Sequence, residues 1–159
     1  MGVSLDADEQ RAFLESGHTA IVTTIRRDGR PSPVPVWYVM VDGRMYFGTP
    51  SVAAKLKHLR RDPRCSVLVE TGEKWRDLVA LQFQADAVIL EDGPEAAAAD
   101  AASVVKYEAF RTPVEQLPAS AQALYGDSVW IRLDPVGEAV SWNNSKIRLR
   151  GESRSTPSG

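Results

Sequence analysis

The chain reads as mainly β with flanking helices (α+β), a small barrel of antiparallel strands, on three observations. Two Asp-Gly pairs, Asp28-Gly29 and Asp42-Gly43, interrupt runs rich in β-branched and aromatic residues, the pattern of successive hairpins. Further runs of that kind follow, short and bounded by turn residues, while segments with helical spacing lie outside them. A length of 159 residues, 43% hydrophobic and 25% charged, suits one domain around one core.

"SLDADEQRAFLESG" opens the order with a short helix. Ser4 or Asp6 can cap it, Glu9 stands at capping-box spacing from Asp6, and Gly17 can end it. Strands are expected near 18–27, 31–41 and 44–49, then near 65–70, 79–90, 128–134 and 137–142. A helix starts at Pro94, and "PVEQLPASAQALYG" reads as short helix or loop. Residues 1–149 form the single domain of this reading, and the aperiodic tail 150–159 is expected to be mobile. No stretch approaches 18 consecutive apolar residues, and "MGVSLDADEQ" lacks the basic start and apolar centre of a signal peptide, so no membrane and a cytoplasmic location are expected.

Pro31, Pro33 and Pro35 are spaced by two, so in an extended chain their missing N–H groups fall along one lateral edge. Such a strand belongs at a sheet edge or a barrel opening. Two readings stay open: a guard against aggregation, or an opening for a flat ligand, with Val34, Val36 and Trp37 as apolar contacts.

Lys55 to Arg64 holds five Lys or Arg and one acid in a chain of net charge -2. Taken as a helix over 51–61, begun by Ser51 and stopped by Asp62-Pro63, it turns Val52, Leu56 and Leu59 toward the barrel. Lys55 falls on the flank of that stripe with His58 beside it, whereas Lys57 and Arg61 point outward to solvent. Thr49, Ser51 and the free amides of the helix start make an anion site. With one glycine and no "GKS" or "GKT", the stretch does not read as a nucleotide-hydrolysing loop.

Other chemistries lack material. Two histidines, His18 and His58, and one cysteine argue against a structural zinc site and against Ser-His-Asp or Cys-His catalysis. Cys65, inside "CSVLV", reads as a small buried hydrophobe. A nucleic-acid role is disfavoured by the net charge and the lack of a binding motif.

The span "AIVTTIRRDGRPSPVPVWYVMVDGRMYFGTPSVAAKLKHLRRDPRCSVLV" resembles the core of the split β-barrel flavin and deazaflavin enzymes, the superfamily of pyridoxamine 5'-phosphate oxidase. "AKLKHLRRDPR" is most similar to the actinobacterial branch that uses coenzyme F-420. The resemblance covers about residues 5 to 149. It implies an FMN-binding split barrel type of fold and a homodimer with the cofactor at the subunit interface. It assigns Lys55 to the cofactor phosphate, Thr49 and Ser51 as hydroxyl donors, and Lys57 and His58 as nearby contacts. Val34, Pro35, Val36 and Trp37 would flank the ring, and Trp142 and Lys146 of "SWNNSKI" would reach the second subunit's site. "WNNSK" departs from the more usual branch form, in which an acid and a histidine follow the tryptophan. Read alone, Trp142 is a core or interface aromatic and Lys146 a surface lysine; Trp130 is a further interface candidate.

The activity so implied is hydride transfer from reduced F-420 to a small organic substrate, for which the protein need only bind, orient and exclude water. The alternatives are an FMN-dependent oxidoreductase on the same lysine and a non-enzymatic flavin- or haem-binding module. Haem would draw an axial ligand from His18 or His58. The arginine-containing substrate motif of true pyridoxamine phosphate oxidation is not evident in "SWNNSKIRLRGESR".

Overall fold

The computed structural model describes residues 3–150. The expectation for the tail lies, from residue 151 onward, outside the described residues. Seven strands, β1 (Thr19–Ile25), β2 (Pro31–Trp37), β3 (Val39–Val41), β4 (Arg44–Pro50), β5 (Arg64–Thr71), β6 (Val79–Ile89) and β7 (Ser128–Asn143), are joined by α1 (Ala7–Ser16), α2 (Ala54–Arg61), α3 (Pro94–Tyr107) and α4 (Ala119–Tyr125). They form one antiparallel sheet in the order β2-β1-β5-β6-β7-β4-β3.

The local signals behave as the residues dictate. Asp6 accepts from the Glu9 amide and Glu9 from the Asp6 amide, the reciprocal box expected for α1, and Gly17 ends the helix. Asp42 and Gly43 both take positive φ, 49° and 75°, which the tight β3–β4 turn demands. Pro94 occupies the first turn of α3.

Three boundaries differ from expectation. The strand expected over 31–41 breaks at Tyr38 into β2 and β3, each pairing with a different neighbour. The two strands expected at 128–134 and 137–142 are one continuous β7. Its register against β6 slips where Val140 faces Gln82 but Val136 faces Gln84, and Gly137 at φ 73° takes up the extra chain. Helix α2 starts at Ala54, not Ser51, with Ala53 at its cap and no side-chain cap bond. Residues 51–53 are instead a turn closed by the Ala53 amide on the Pro50 carbonyl, so Val52 leaves the apolar stripe and is 64% exposed.

β2 and β3 are the two outermost strands, yet only Tyr38 separates them in the chain. The sheet therefore wraps so that one bent segment serves both edges. The wall is closed where β3 pairs with the start of β4 and split where β2 runs past the far half of β4 without pairing to it. Inside lie Val22, Phe47, Val67, Leu81, Ile131 and Leu133, and Leu56 and Leu59 of α2 join them. Helix α3 covers part of the outer face, where Ala99 and Tyr107 pack with Val39, Tyr46 and Trp130. Trp130 is half-buried, packed against Gly48 and the cluster that includes Ala99 and Tyr107 of α3. On the remaining outer face Ile21, Leu68, Gln82 and Val140 stand in register across β1, β5, β6 and β7. Among the described residues no helix is long and apolar enough to cross a membrane.

Candidate functional site

The split is bordered by β2, and its prolines explain why it stays open. Pro31, Pro33 and Pro35 face Ile25, Thr23 and Ile21 of β1 in register. Antiparallel partners alternate between hydrogen-bonded and non-hydrogen-bonded pairs, and residues without N–H fit only the latter. Ser32, Val34 and Val36 therefore carry the ladder to β1, and the other edge of β2 offers carbonyls but no proline donors. β4 cannot zip onto it. Of the side chains here, Val36 is buried and Val34 packs on the core, while Pro35 and Trp37 are exposed.

At the far end of β4 the Thr49 side chain is 1% exposed and accepts a hydrogen bond from Lys55 Nζ at 3.1 Å. Lys55 is half-buried, and burial lowers its pKa because the charged ammonium loses water. No side chain caps the first turn of α2 immediately before it. A partly desolvated cation beside an uncapped helix start favours an anionic group.

The structure does not bring every expected residue to this point. Ser51 donates its hydroxyl to Asp127 Oδ2 at 2.5 Å, and its amide bonds the Asp127 carbonyl at 3.0 Å. His58 Nδ1 lies 2.9 Å from Oγ1 of the buried Thr24, tying α2 to β1. Lys57 is exposed, as its helical angle predicts. Arg61 is not simply solvated, since its guanidinium donates to the Ile25 carbonyl. Arg64 is engaged by Asp62 through bonds of 2.9 and 2.8 Å, and this pairing holds the Asp62 carboxyl down at about 2. Lys57, Arg60, Arg61 and Arg64 of the basic run are all exposed, Arg61 and Arg64 held by the Ile25 carbonyl and Asp62. Trp142 is half-buried opposite Ala80, and Lys146 donates to Glu9 Oε2 at 2.6 Å and to the Ser4 carbonyl at 2.8 Å. Both lie at the opposite end of β7 from Val129, the partner of Thr49.

Sequence reasoning missed Asp127 and the aromatic group around Trp37. Trp37 stacks on Tyr107 with ring centroids 4.5 Å apart and planes 10° apart, and His18 meets Trp37, Tyr107 and Phe110 edge-on. The spacing of Tyr107 and Phe110 by three at the end of α3 was the available signal. The Tyr38 hydroxyl donates to the Leu14 carbonyl at 2.7 Å and the Tyr46 hydroxyl to Glu95 at 2.9 Å.

A self-wrapped antiparallel barrel, closed along one half of a bent strand and split along the other, defines the split β-barrel class. The chain belongs to the pyridoxamine 5'-phosphate oxidase family, whose sequence profile matches residues 7–136. It is similar to a conserved hypothetical protein of Mycobacterium tuberculosis, at 28% identity and TM-score 0.75 over 98% of this chain and 95% of that one. A FAD-binding protein from Mesorhizobium loti matches at 22% identity and TM-score 0.65, over 87% of this chain and 94% of its own. The haem storage protein HutZ from Vibrio cholerae matches at 17% identity and TM-score 0.63, over 91% of this chain and 99% of its own. The fold is thus one whose structural neighbours include flavin- and haem-binding proteins.

Proposed function

We propose that the protein is an oxidoreductase that holds coenzyme F-420 in the split and passes a hydride from its reduced ring to a small organic substrate. The observation that carries this reading is the half-buried Lys55 ammonium on Thr49, placed where an edge without proline donors keeps the barrel open. Lys55 and Thr49 hold the phosphate. Val34, Pro35, Val36 and Trp37 border the ring, with His58 on the flank of the same helix and Lys57 on its exposed side as nearby contacts. Ser51 joins the phosphate by turning from Asp127. The cofactor, once bound, supplies the hydride; the chain's own work is to bind, orient and exclude water.

A homodimer completes the site in this reading. The row Ile21, Leu68, Gln82 and Val140 supports it, because a second copy can cover that sheet face. Trp142 lies on the same face and reaches across; Lys146 follows only by releasing Glu9. The site of action is the cytoplasm.

F-420 is favoured over FMN because its longer anionic tail can run over Lys57 and Arg60, which are exposed next to the phosphate position. FMN shares the ring slot and Lys55, so an FMN-dependent oxidoreductase is the second reading. Titration of the purified protein with each cofactor, followed by absorbance and fluorescence, separates them. Each screened tail contact is worth roughly 0.2–1 kcal/mol, so two of them favour F-420 by several-fold at low salt. The gap narrows between about 0.05 and about 0.5 M salt as the screening length falls well below 10 Å. Tighter FMN binding at both salt concentrations makes the FMN enzyme the correct reading.

A further inference from the structure

The anion site has a carboxylate on its border. Asp127 stands immediately before β7, and its Oδ2 accepts from the Ser51 hydroxyl at 2.5 Å. It fills the place that a phosphate oxygen must take to gain that hydroxyl. The backbone fixes it there, because the Ser51 amide donates to the Asp127 carbonyl at 3.0 Å and the adjoining Pro50 and Ser128 face each other in the β4–β7 register. Turning the Ser51 hydroxyl toward a ligand therefore leaves the carboxylate beside that ligand.

We propose that Asp127 sets the charge this site accepts, admitting the single negative charge of a phosphodiester and disfavouring the double charge of a phosphomonoester. The proposal rests on the cofactor phosphate lying at Lys55, Thr49 and Ser51, and it holds whatever ring that phosphate carries. Lys55, half-buried on Thr49, is the one cation bonded into the site. Among the described residues neither Lys55 nor Asp127 belongs to an ion pair, so both charges act on a ligand undiminished. The remaining cations of the basic run are exposed, where solvent and salt screen them, and Arg61 and Arg64 are held by the Ile25 carbonyl and Asp62. A diester brings one negative charge, which Lys55 balances. A monoester brings about 1.5 to 2 at pH 7, and the excess meets Asp127 with no second cation beside it.

FMN, its methyl phosphodiester and riboflavin are the probes, sharing one ring and differing in phosphate charge, and fluorescence titration of the full-length protein reads their binding. The parent is expected to bind the diester at least as tightly as FMN. Asp127→Asn keeps an oxygen for the Ser51 hydroxyl and removes only the charge. It should tighten the diester by about two- to threefold and FMN by about four- to tenfold, reversing their order, and leave riboflavin unchanged. Gains that are absent, equal for the two esters, or shared by riboflavin overturn the role of Asp127 and leave the phosphate position standing. If neither ester binds the parent more tightly than riboflavin does, the phosphate position fails and the proposal fails with it. Unequal ester gains beside weaker binding of F-420 than of FMN uphold the role of Asp127 and remove the deazaflavin alone.

Discussion

Lys55 Nζ donates to Thr49 Oγ1 at 3.1 Å, joining the first turn of α2 to the far end of β4. One side chain thus sets the cation at the border of the split. Lys55→Ala is expected to weaken F-420 binding by roughly 1.5–3 kcal/mol, the range for a hydrogen bond to a charged group, and to leave the fold intact. Lys57→Ala, on the exposed side of the helix, should cost less. Equal losses in a fluorescence titration would show that Lys55 has no special place.

Val140 is 61% exposed and stands in the outer row with Ile21, Leu68 and Gln82. Light scattering at micromolar concentration is expected to give a dimer for the parent chain. Val140→Glu puts a charge at one end of that row, on a side chain that is already largely exposed, so a dimer formed through the row should shift to monomer. A variant that stays dimeric places the interface elsewhere. A parent that is monomeric with cofactor bound removes the dimer from the mechanism.

Tyr107 is 1% exposed, and its hydroxyl accepts from the Tyr38 amide at 2.9 Å while lying 2.7 Å from the His18 carbonyl and 2.6 Å from that of Tyr38. Tyr107→Phe keeps the stack on Trp37 but strands the Tyr38 amide at the hinge between β2 and β3. The expected loss is about 1–3 kcal/mol in urea unfolding, the cost of an unsatisfied buried group. No change in midpoint would mean that water replaces the hydroxyl.

Cys65 is 5% exposed, and burial pushes its thiol up to about 12. Iodoacetamide at pH 8 should therefore leave it untouched until the chain unfolds. The sign of the alkaline effect follows from the raised pKa. Below the usual thiol value near 9 the contribution is fully present, and it is lost as pH rises toward about 12, because only the unfolded chain ionises there. Cys65→Ala should flatten that part of the stability profile. Rapid labelling of the native protein would contradict the burial.

Local chemistry determined what the sequence alone could show. The Asp6–Glu9 box, the Asp42-Gly43 turn, the Pro94 start and the edge character of Pro31, Pro33 and Pro35 each depend on residues within a few positions of one another. Lys55 was legible for the same reason, since helical angle and nearness to Thr49 both follow from short separations. Contacts between distant segments decided the rest. Ser51 reads as a helix cap until Asp127, 76 positions away, takes its hydroxyl; the contacts of Trp130 with Gly48 and the α3 cluster likewise join segments far apart in the chain. Trp37 acquires its partner only because the end of α3 returns Tyr107 beneath it. The split itself is a tertiary fact. β2 and β3 are one short stretch of sequence, and only the closing of the sheet makes half of that stretch a wall and the other half an opening.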